Sequence, residues 1–246
     1  MRCKLLSICL VALVLLLVGY CSYVYSLMGS HREKLWLHRC NSVEKYDELS
    51  ASFPNVEVDI VYRGNGRLDV THDQEVSFGL PLDSLLNRIK GKAERHLWLD
   101  IKNMNCHNVR EIEAYLVAQC HKHSIHPSQL IIESTEVDAL SCLTRNGWYT
   151  SYYVPFDQPS NLSREECDEC IKKMQDIADS GQVCALSFPG WWYKEIKCHL
   201  HRDIDLLTWK HRTTEFEFFA LPSHRAMLED EQLKVILIKS KGSHHR

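Results

Sequence analysis

The sequence predicts an α/β protein with a single (β/α)8 TIM barrel, preceded by a hydrophobic N-terminal helix. Eight short apolar runs have the composition of β-strands, and segments of helical periodicity separate several of them. Strands that alternate with helices of about 10 to 15 residues are typical of parallel β/α units. No long linker, low-complexity run or internal repeat divides the 246 residues. Eight strands in a chain of this length favour a closed barrel over a doubly wound sheet.

Residues 1–30 form the hydrophobic segment that precedes the barrel domain of residues 31–246. Arg2 and Lys4 stand before an apolar run that extends from position 5 to 28. Basic residues followed by such a run are typical of a signal peptide or of an uncleaved signal anchor. Because about 20 apolar residues span a bilayer, we expect a membrane-anchored protein or, after cleavage, an exported one. Either alternative predicts that the barrel lies outside the cytoplasm.

The predicted elements of the domain follow in a regular order. The strands occupy residues 35–40, 56–63, 96–103, 129–134, 148–154, 183–188, 204–209 and 234–239. The helices occupy residues 43–53, 82–90, 109–123, 137–145 and 164–179. Ser42 is a suitable N-cap for the first helix. After the second strand, a turn at 63–66 reverses the chain direction, and residues 68–73 form a second extended piece.

The segment 56–73 carries the main functional signal. Glu57 and Asp59 lie two apart on the second predicted strand, so both carboxylates point to the same face. Such a pair on an apolar strand is costly unless a cation or a buried partner offsets its charge. His38 closes an apolar run upstream, and His72 ends the returning piece. Two histidines and two carboxylates at strand ends predict a metal-assisted acid–base site; the alternative is a half-buried strand with a salt-bridged carboxylate pair.

The third predicted strand repeats this spacing with Asp100 and Lys102. In a barrel the active site lies at the carboxyl ends of the strands, where these side chains are expected. Three carboxylates without a thiolate favour a hard cation, Ca²⁺ or Mg²⁺, over zinc. The alternative for Asp100 and Lys102 is an ion pair inside the barrel. Glu133, Ser187 and Trp209 also fall near strand ends.

Aromatic residues follow the sixth predicted strand. Trp191 and Trp192 come directly after the turn at Pro189 and Gly190. Loops at this end of a barrel carry specificity, so the two indoles are predicted to form an apolar platform for the lipid or alkyl part of a substrate. The alternative is that both rings pack against the neighbouring helix.

Charge and cysteine content narrow the possible functions. The net charge is −3 and no basic stripe with interleaved aromatic residues is present, so nucleic acid is not an expected partner. Eight of the 11 cysteines lie beyond residue 30, and an exported domain can pair them in disulfides or keep them as buried thiols. Cys167 and Cys170 have the spacing of a zinc motif, but they lie in a helical pattern without a second closely spaced pair.

Four short motifs together resemble those of a known family. In chain order they are His38-Arg39, Glu57-x-Asp59, His72-Asp73 and Asp100-Ile101-Lys102. Their order and spacing are similar to the glycerophosphodiester phosphodiesterase family, within the phospholipase C-like phosphodiesterase superfamily of TIM barrels. The resemblance implies a metal-dependent phosphoric diester hydrolase that acts on a small-molecule or lipid phosphodiester. The N-terminal segment would bind the protein to a membrane.

The resemblance also implies roles for individual residues. The implied acid–base pair is His38 and His72. The implied ligands of the divalent cation are Glu57, Asp59 and Asp100. The implied phosphate contacts are Arg39 and Lys102.

The sequence departs from the family pattern at three places. Cys40 stands where the family has glycine, Asp100 stands where it has glutamate, and the insertion that normally follows the motif His72-Asp73 is missing. In the family that insertion helps to recognise the glycerol moiety. The short loop and the strand around Asp100 also resemble the menorin group of the same superfamily. This second resemblance gives the alternative of a non-catalytic extracellular barrel that binds a ligand or a protein partner.

Overall fold

The computed structural model describes residues 2–64, 66–210 and 215–243. Its strands are β1 (Leu35–Leu37), β2 (Val56–Tyr62), β3 (Leu68–Val70), β4 (Leu97–Ile101), β5 (Leu130–Ser134), β6 (Tyr149–Tyr153), β7 (Ala185–Pro189), β8 (Asp205–Trp209) and β9 (Leu233–Ile238). Its helices are α1 (Arg2–His31), α2 (Val43–Leu49), α3 (Leu82–Ile89), α4 (Val109–His123), α5 (Val137–Arg145), α6 (Arg164–Ser180), α7 (Tyr193–His199), α8 (Glu215–Ala220) and α9 (Pro222–Glu229).

Within these residues, eight strands form a closed parallel barrel. Around the ring the order is β1-β2-β4-β5-β6-β7-β8-β9, and β9 pairs with β1 to close it. β3 lies antiparallel to the outer end of β2, with Val70 opposite Ile60. The architecture confirms the predicted (β/α)8 barrel with an apolar helix before it.

Local sequence explains where the first elements begin and end. Ser42 caps α2, because its side chain accepts a hydrogen bond from the backbone N–H of Lys45 at 3.0 Å. β1 is shorter than predicted and ends at Leu37. The chain leaves the extended conformation at Arg39, which has a φ of 53°. This early departure from the strand shapes the site described below.

Apolar residues form two buried clusters in the described part of the chain. The larger one contains residues of both the strands and the surrounding helices. The smaller one consists of Trp36, Trp98, Ile131, Ala185, Leu207, Trp209, Val235 and Leu237. Side chains two apart on a strand share a face, so Asp100 follows Trp98 and Glu133 follows Ile131 on the same side of the sheet. The smaller cluster therefore lies beneath a polar layer at the carboxyl ends of the strands.

α1 has the length and composition of a membrane span. Its segment Leu6–Leu27 has 22 residues and a mean hydropathy of 2.4, a profile that a signal sequence also has. The last third of the helix packs on the domain. Val24 is fully buried, and the guanidinium of Arg225 lies 5.6 Å from the ring centroid of Tyr23.

The cysteines that the structure describes are not paired with one another. All ten whose side chains the structure describes are free, so no disulfide occurs among them. Cys167 and Cys170 lie on α6, and neither belongs to the one group of side chains among the described residues whose geometry could hold a metal ion. Of the described cysteines, Cys40 and Cys120 are buried and contribute to packing.

Candidate active site

A cavity of about 270 Å³ opens at the carboxyl ends of the parallel strands. Eight of the nine site residues predicted from the sequence line it: His38, Arg39, Glu57, Asp59, His72, Asp100, Lys102 and Trp191. The ninth residue, Trp192, does not line this cavity. The barrel architecture places active sites at this end of the strands.

Three buried carboxylates lie together on the wall of the cavity. Parallel pairing sets Asp59 beside Asp100, and Glu57 precedes Asp59 on the same face of β2. One oxygen from each of the three side chains lies within 4.8 Å of the others. The residues are only 1 to 9% exposed, so water does little to screen their mutual repulsion. The cluster therefore depends on positive or hydrogen-bonding neighbours.

Two such neighbours hold Asp59 in its ionised form. The Lys102 ammonium lies 2.8 Å from Oδ1 of Asp59, and the Asn41 amide donates to Oδ2 at 2.7 Å. Burial alone would raise the pKa of Asp59, but these two contacts and the Arg39 guanidinium lower it. Burial likewise opposes the charge of Lys102, yet the nearby carboxylates, Asp100 first, raise its pKa. Lys102 also forms an ion pair with Asp100.

These neighbours do not fully offset the cost of ionising all three carboxyl groups of the cluster. Burial raises the pKa of Glu57 well above its usual value, and the charges of Asp59 and Asp100 raise it further. Burial also raises the pKa of Asp100, an effect that Lys102 opposes only in part. Buried oxygen ligands with uncompensated charge are the donor set that a hard divalent cation prefers. The residues present therefore fit Ca²⁺ or Mg²⁺ better than zinc, which favours nitrogen and sulfur ligands.

A sharp bend after β1 brings His38 to the cavity. Arg39 lies in the left-handed region of φ, which is uncommon for a residue with a side chain. The backbone N–H of Arg39 donates to Oε2 of Glu57 at 2.6 Å, and that of Cys40 donates to the Glu57 carbonyl oxygen at 2.8 Å. The buried Lys45 ammonium donates to the carbonyl oxygen of Arg39 at 2.7 Å, a contact that no sequence pattern indicated. His38 Nε2 consequently lies 3.8 Å from Oε2 of Glu57.

His72 reaches the cavity from the loop after β3 and has a partner at each ring nitrogen. Nδ1 lies 2.9 Å from Oδ1 of Asp73, and Nε2 lies 2.9 Å from Nη2 of Arg39. Because a guanidinium can only donate, Nε2 is the acceptor and the ring proton is assigned to Nδ1. In this tautomer His72 presents a basic nitrogen at the cavity wall.

Aromatic side chains form another wall, and here one prediction is wrong. The rings of Tyr153 and Trp209 stack with their centroids 5.2 Å apart, and Trp191 lines the cavity while 41% exposed. Trp192 was expected beside Trp191, but it is fully buried, and its ring meets that of Phe156 edge-on at 6.2 Å. Trp191 lies in the turn before α7, whereas Trp192 is the N-cap residue of that helix, and only Trp191 reaches the mouth.

One buried acid in the cavity received no role from the sequence. Glu133 is 2% exposed, pairs with Asp100 across β4 and β5, and contacts the Ser187 hydroxyl. Burial, followed by the charge of Asp100, raises the pKa of Glu133 well above its usual value. Ser187 also lies 3.1 Å from the carbonyl oxygen of Tyr152. The Ser187 hydroxyl donates to Glu133, a contact that lowers the pKa of Glu133 and so opposes the effect of burial. The sequence feature that could have indicated a role for Glu133 is its position near the end of a strand, two residues after Ile131.

Comparisons with known proteins show which fold class the barrel belongs to. No model of a protein family matches the chain, and no curated protein matches it. Solved structures do match. A glycerophosphodiester phosphodiesterase from Parabacteroides distasonis ATCC 8503 has a TM-score of 0.55 and 15% identity, and the match covers 84% of this chain and 93% of that one. This likeness concerns the fold, since the sequences differ at most positions.

Two further structures place the barrel in the same class. A glycerophosphodiester phosphodiesterase from Agrobacterium tumefaciens str. C58 has a TM-score of 0.55 and 11% identity, over 83% of this chain and 95% of that one. A calcium-dependent phosphoinositol-specific phospholipase C from a Pseudomonas species has a TM-score of 0.51 and 11% identity, over 86% and 92%. The chain therefore has the fold of the glycerophosphodiester phosphodiesterases and the related phospholipase C-like TIM barrels, as its motifs predicted.

Proposed function

We propose that the protein is a metal-dependent phosphoric diester hydrolase that acts on a glycerophosphodiester or a lipid-derived phosphodiester. The observation that carries this proposal is that His38 and His72 line the same cavity as the cluster of three buried carboxylates. The fold of the solved neighbours supports a phosphodiesterase. A module that only binds a ligand has no need of this full set of ionisable groups.

Glu57, Asp59 and Asp100 are the residues that would hold the cation, Ca²⁺ or Mg²⁺. The solved neighbour described as a calcium-dependent phospholipase C supports a divalent ion at a site of this fold. When bound, the cation would stabilise the negative charge that grows on the phosphoryl oxygens in the transition state.

Arg39 and Lys102 would bind the phosphate group. Nε of Arg39 lies 3.8 Å from Oδ2 of Asp59, and its Nη2 lies 2.9 Å from the ring of His72. The guanidinium thus stands between the acidic cluster and one imidazole, and its side chain is 38% exposed. Its planar set of donors matches two phosphate oxygens. The Lys102 ammonium adds a second positive charge on the same side of the cavity.

The two histidines would transfer protons on opposite sides of the phosphorus. His72, with its ring proton on Nδ1 near Asp73, would accept at Nε2 the proton of an attacking water or substrate hydroxyl once the Arg39 guanidinium turns from that nitrogen to the phosphate. As the new P–O bond forms and the old one breaks, protonated His38 would donate to the departing alkoxide. The Glu57 carboxylate, 3.8 Å from His38 Nε2, would stabilise that imidazolium.

The N-terminal helix would place this activity at a membrane. Its apolar segment Leu6–Leu27 is long enough to remain as a signal anchor. We place the barrel outside the cytoplasm, where a lipid-derived or soluble phosphodiester would be the partner.

Hydrolysis of bis(p-nitrophenyl) phosphate by the purified chain tests the proposal. We expect p-nitrophenol release that a chelator abolishes and that Ca²⁺ or Mg²⁺ restores. No turnover with several phosphodiesters and either cation would overturn it in favour of the non-catalytic barrel that binds a ligand or protein partner. Turnover that survives the chelator would leave a hydrolase but remove the cation from the mechanism.

A further inference from the structure

α1 leaves the domain on the same side as the cavity. At the opposite end of the barrel, the Lys34 ammonium donates to the carbonyl oxygen of Leu228 at 2.8 Å, near the end of α9. Further back along α1, the Tyr20 hydroxyl donates to the carbonyl oxygen of Ala220, just before α9 begins. In a β/α unit the helix starts at the end where the strands finish. The helix α1 therefore rises, towards its own N-terminus, to the end of the barrel that carries the cavity.

Beyond that contact the helix projects as an apolar rod. The large apolar side chains from Leu6 to Val18 are 50 to 72% exposed. At 1.5 Å per residue this stretch is about 20 Å long, most of the thickness of a bilayer core. A bilayer that covers it would consequently lie on the side of the cavity.

The exposed apolar residues of the domain are concentrated on the same side. Outside α1, the large hydrophobic side chains found exposed in the described chain are Val76, Phe78, Val117, Trp191 and Leu221. Val76 and Phe78 lie in the short loop after His72, and Trp191 follows β7, on the opposite side of the strand ring from β2. Leu221 comes directly after the residue that Tyr20 contacts. Only Val117, on α4, lies away from this region.

We propose that the mouth of the barrel faces the bilayer that holds α1, and that Val76, Phe78 and Trp191 enter its headgroup region. Aromatic rings and apolar side chains are stable at that depth, where their exposure to water is reduced. A cavity of about 270 Å³ is at the lower limit of volumes that enclose a small ligand. It would admit the phosphate and headgroup of a lipid while the acyl chains stay in the membrane. The identity of the substrate as a lipid phosphodiester and the retention of α1 in the membrane rest on the proposed function; the position of the mouth on the same side of the domain as the apolar part of α1 does not.

Photo-crosslinking tests the orientation without any need for activity. The full chain carries a benzophenone-bearing phenylalanine analogue at position 78 or, as the matched control, at position 117. Each protein is reconstituted in vesicles of phosphatidylcholine and phosphatidylglycerol with a radiolabelled lipid. We expect lipid crosslinks at position 78 and few at position 117. Absence of crosslinks at position 78, or equal yields at both positions, would overturn the proposal.

A second experiment links the orientation to catalysis. The double variant Val76→Asn/Phe78→Asn should hydrolyse a water-soluble phosphodiester at the wild-type rate, while its rate on a vesicle-embedded lipid phosphodiester falls about tenfold. Val117→Asn should change neither rate. An equal loss on both substrates would show that the loop serves the site itself and would overturn the membrane role. If the wild-type protein hydrolysed neither substrate, the result would instead count against the proposed function.

Discussion

The two halves of the strand ring line the cavity with different kinds of side chain. Near the ends of β1, β2, β4 and β5 the cavity is lined by His38, Glu57, Asp59, Asp100, Lys102 and Glu133. Near the ends of β6 to β9 it is lined mainly by Tyr153, Phe156, Pro189, Trp191, Trp209 and Leu237, with Lys239 as the charged member. Contacts between charged groups dominate the first half and ring packing the second. The difference suits a substrate with an anionic phosphate on one side and an organic substituent on the other.

Removal of an imidazole from the charged half should have the largest effect. We expect His38→Ala and His72→Ala each to lower kcat by about 10²- to 10⁴-fold, because each removes a general acid or base. The measurement is steady-state hydrolysis of a chromogenic phosphodiester, with circular dichroism to confirm folding. His107→Ala, at an exposed position, is the control. Activity within a few-fold of wild type in either variant would exclude that histidine from the mechanism.

Replacing each of the two adjacent tryptophans of the aromatic half should affect a different property: stability for Trp192 and substrate binding for Trp191. Trp192→Ala leaves a cavity in the core, so the free energy of unfolding should fall by about 3 to 5 kcal/mol. Trp191→Ala should change it by no more than about 0.5 kcal/mol, yet raise KM for a long-chain phosphodiester more than for a water-soluble one. Urea denaturation and kinetics with both substrates measure these effects. Equal KM changes for the two substrates would rule out an apolar contact at Trp191.

Loss of one carboxylate should weaken cation binding while the aromatic half stays intact. Mutation of groups that merely support metal ligands typically lowers affinity by about 10- to 100-fold, and Glu57→Gln should have at least that effect. Excess cation should partly restore turnover. Isothermal titration calorimetry gives the affinity, and the exposed Glu75→Gln is the matched control. Unchanged affinity in Glu57→Gln would exclude this residue as a ligand.

The smallest expected effect is a change in the pH dependence of stability. Burial raises the pKa of Glu133 in the folded protein above its unfolded value of about 4.3. Stability from this group is therefore present below that value and is lost as pH rises through the folded pKa. Glu133→Gln cannot ionise, so in chelator its Tm should exceed that of wild type by a few degrees near pH 8 and by less near pH 5. A Tm difference independent of pH would mean that Glu133 does not ionise in this range.

Sequence reasoning located the charged half well because strand geometry is regular. The period of two along β2 and β4, together with the rule that active sites lie at carboxyl ends, was enough to predict that Glu57, Asp59 and Asp100 lie close together. The bounds of α4 and α5 also match the predicted ranges. These features depend on local periodicity, which a single sequence displays directly.

The features that were missed depend on backbone turns and on long-range contacts. No pattern indicates that Arg39 adopts a positive φ or that Lys45 binds its carbonyl oxygen. The direction of Trp192 follows from the first turn of α7, which was not predicted as a helix. The helices α8 and α9, which follow the undescribed residues 211–214, were not predicted either.

The passage from α1 to the barrel leaves no room for a flexible tether. The helix ends at His31, residues Arg32–Lys34 form a single 3-10 turn, and Leu35 already belongs to β1. The Arg32 guanidinium donates to the carbonyl oxygen of Ser52 at 3.1 Å, which fastens this turn to the domain. A stiff stalk of this kind fixes the height and tilt of the body that it carries. With the orientation proposed above, the protein would act only in cis, and it would meet its substrate by lateral diffusion, at a rate set by surface density.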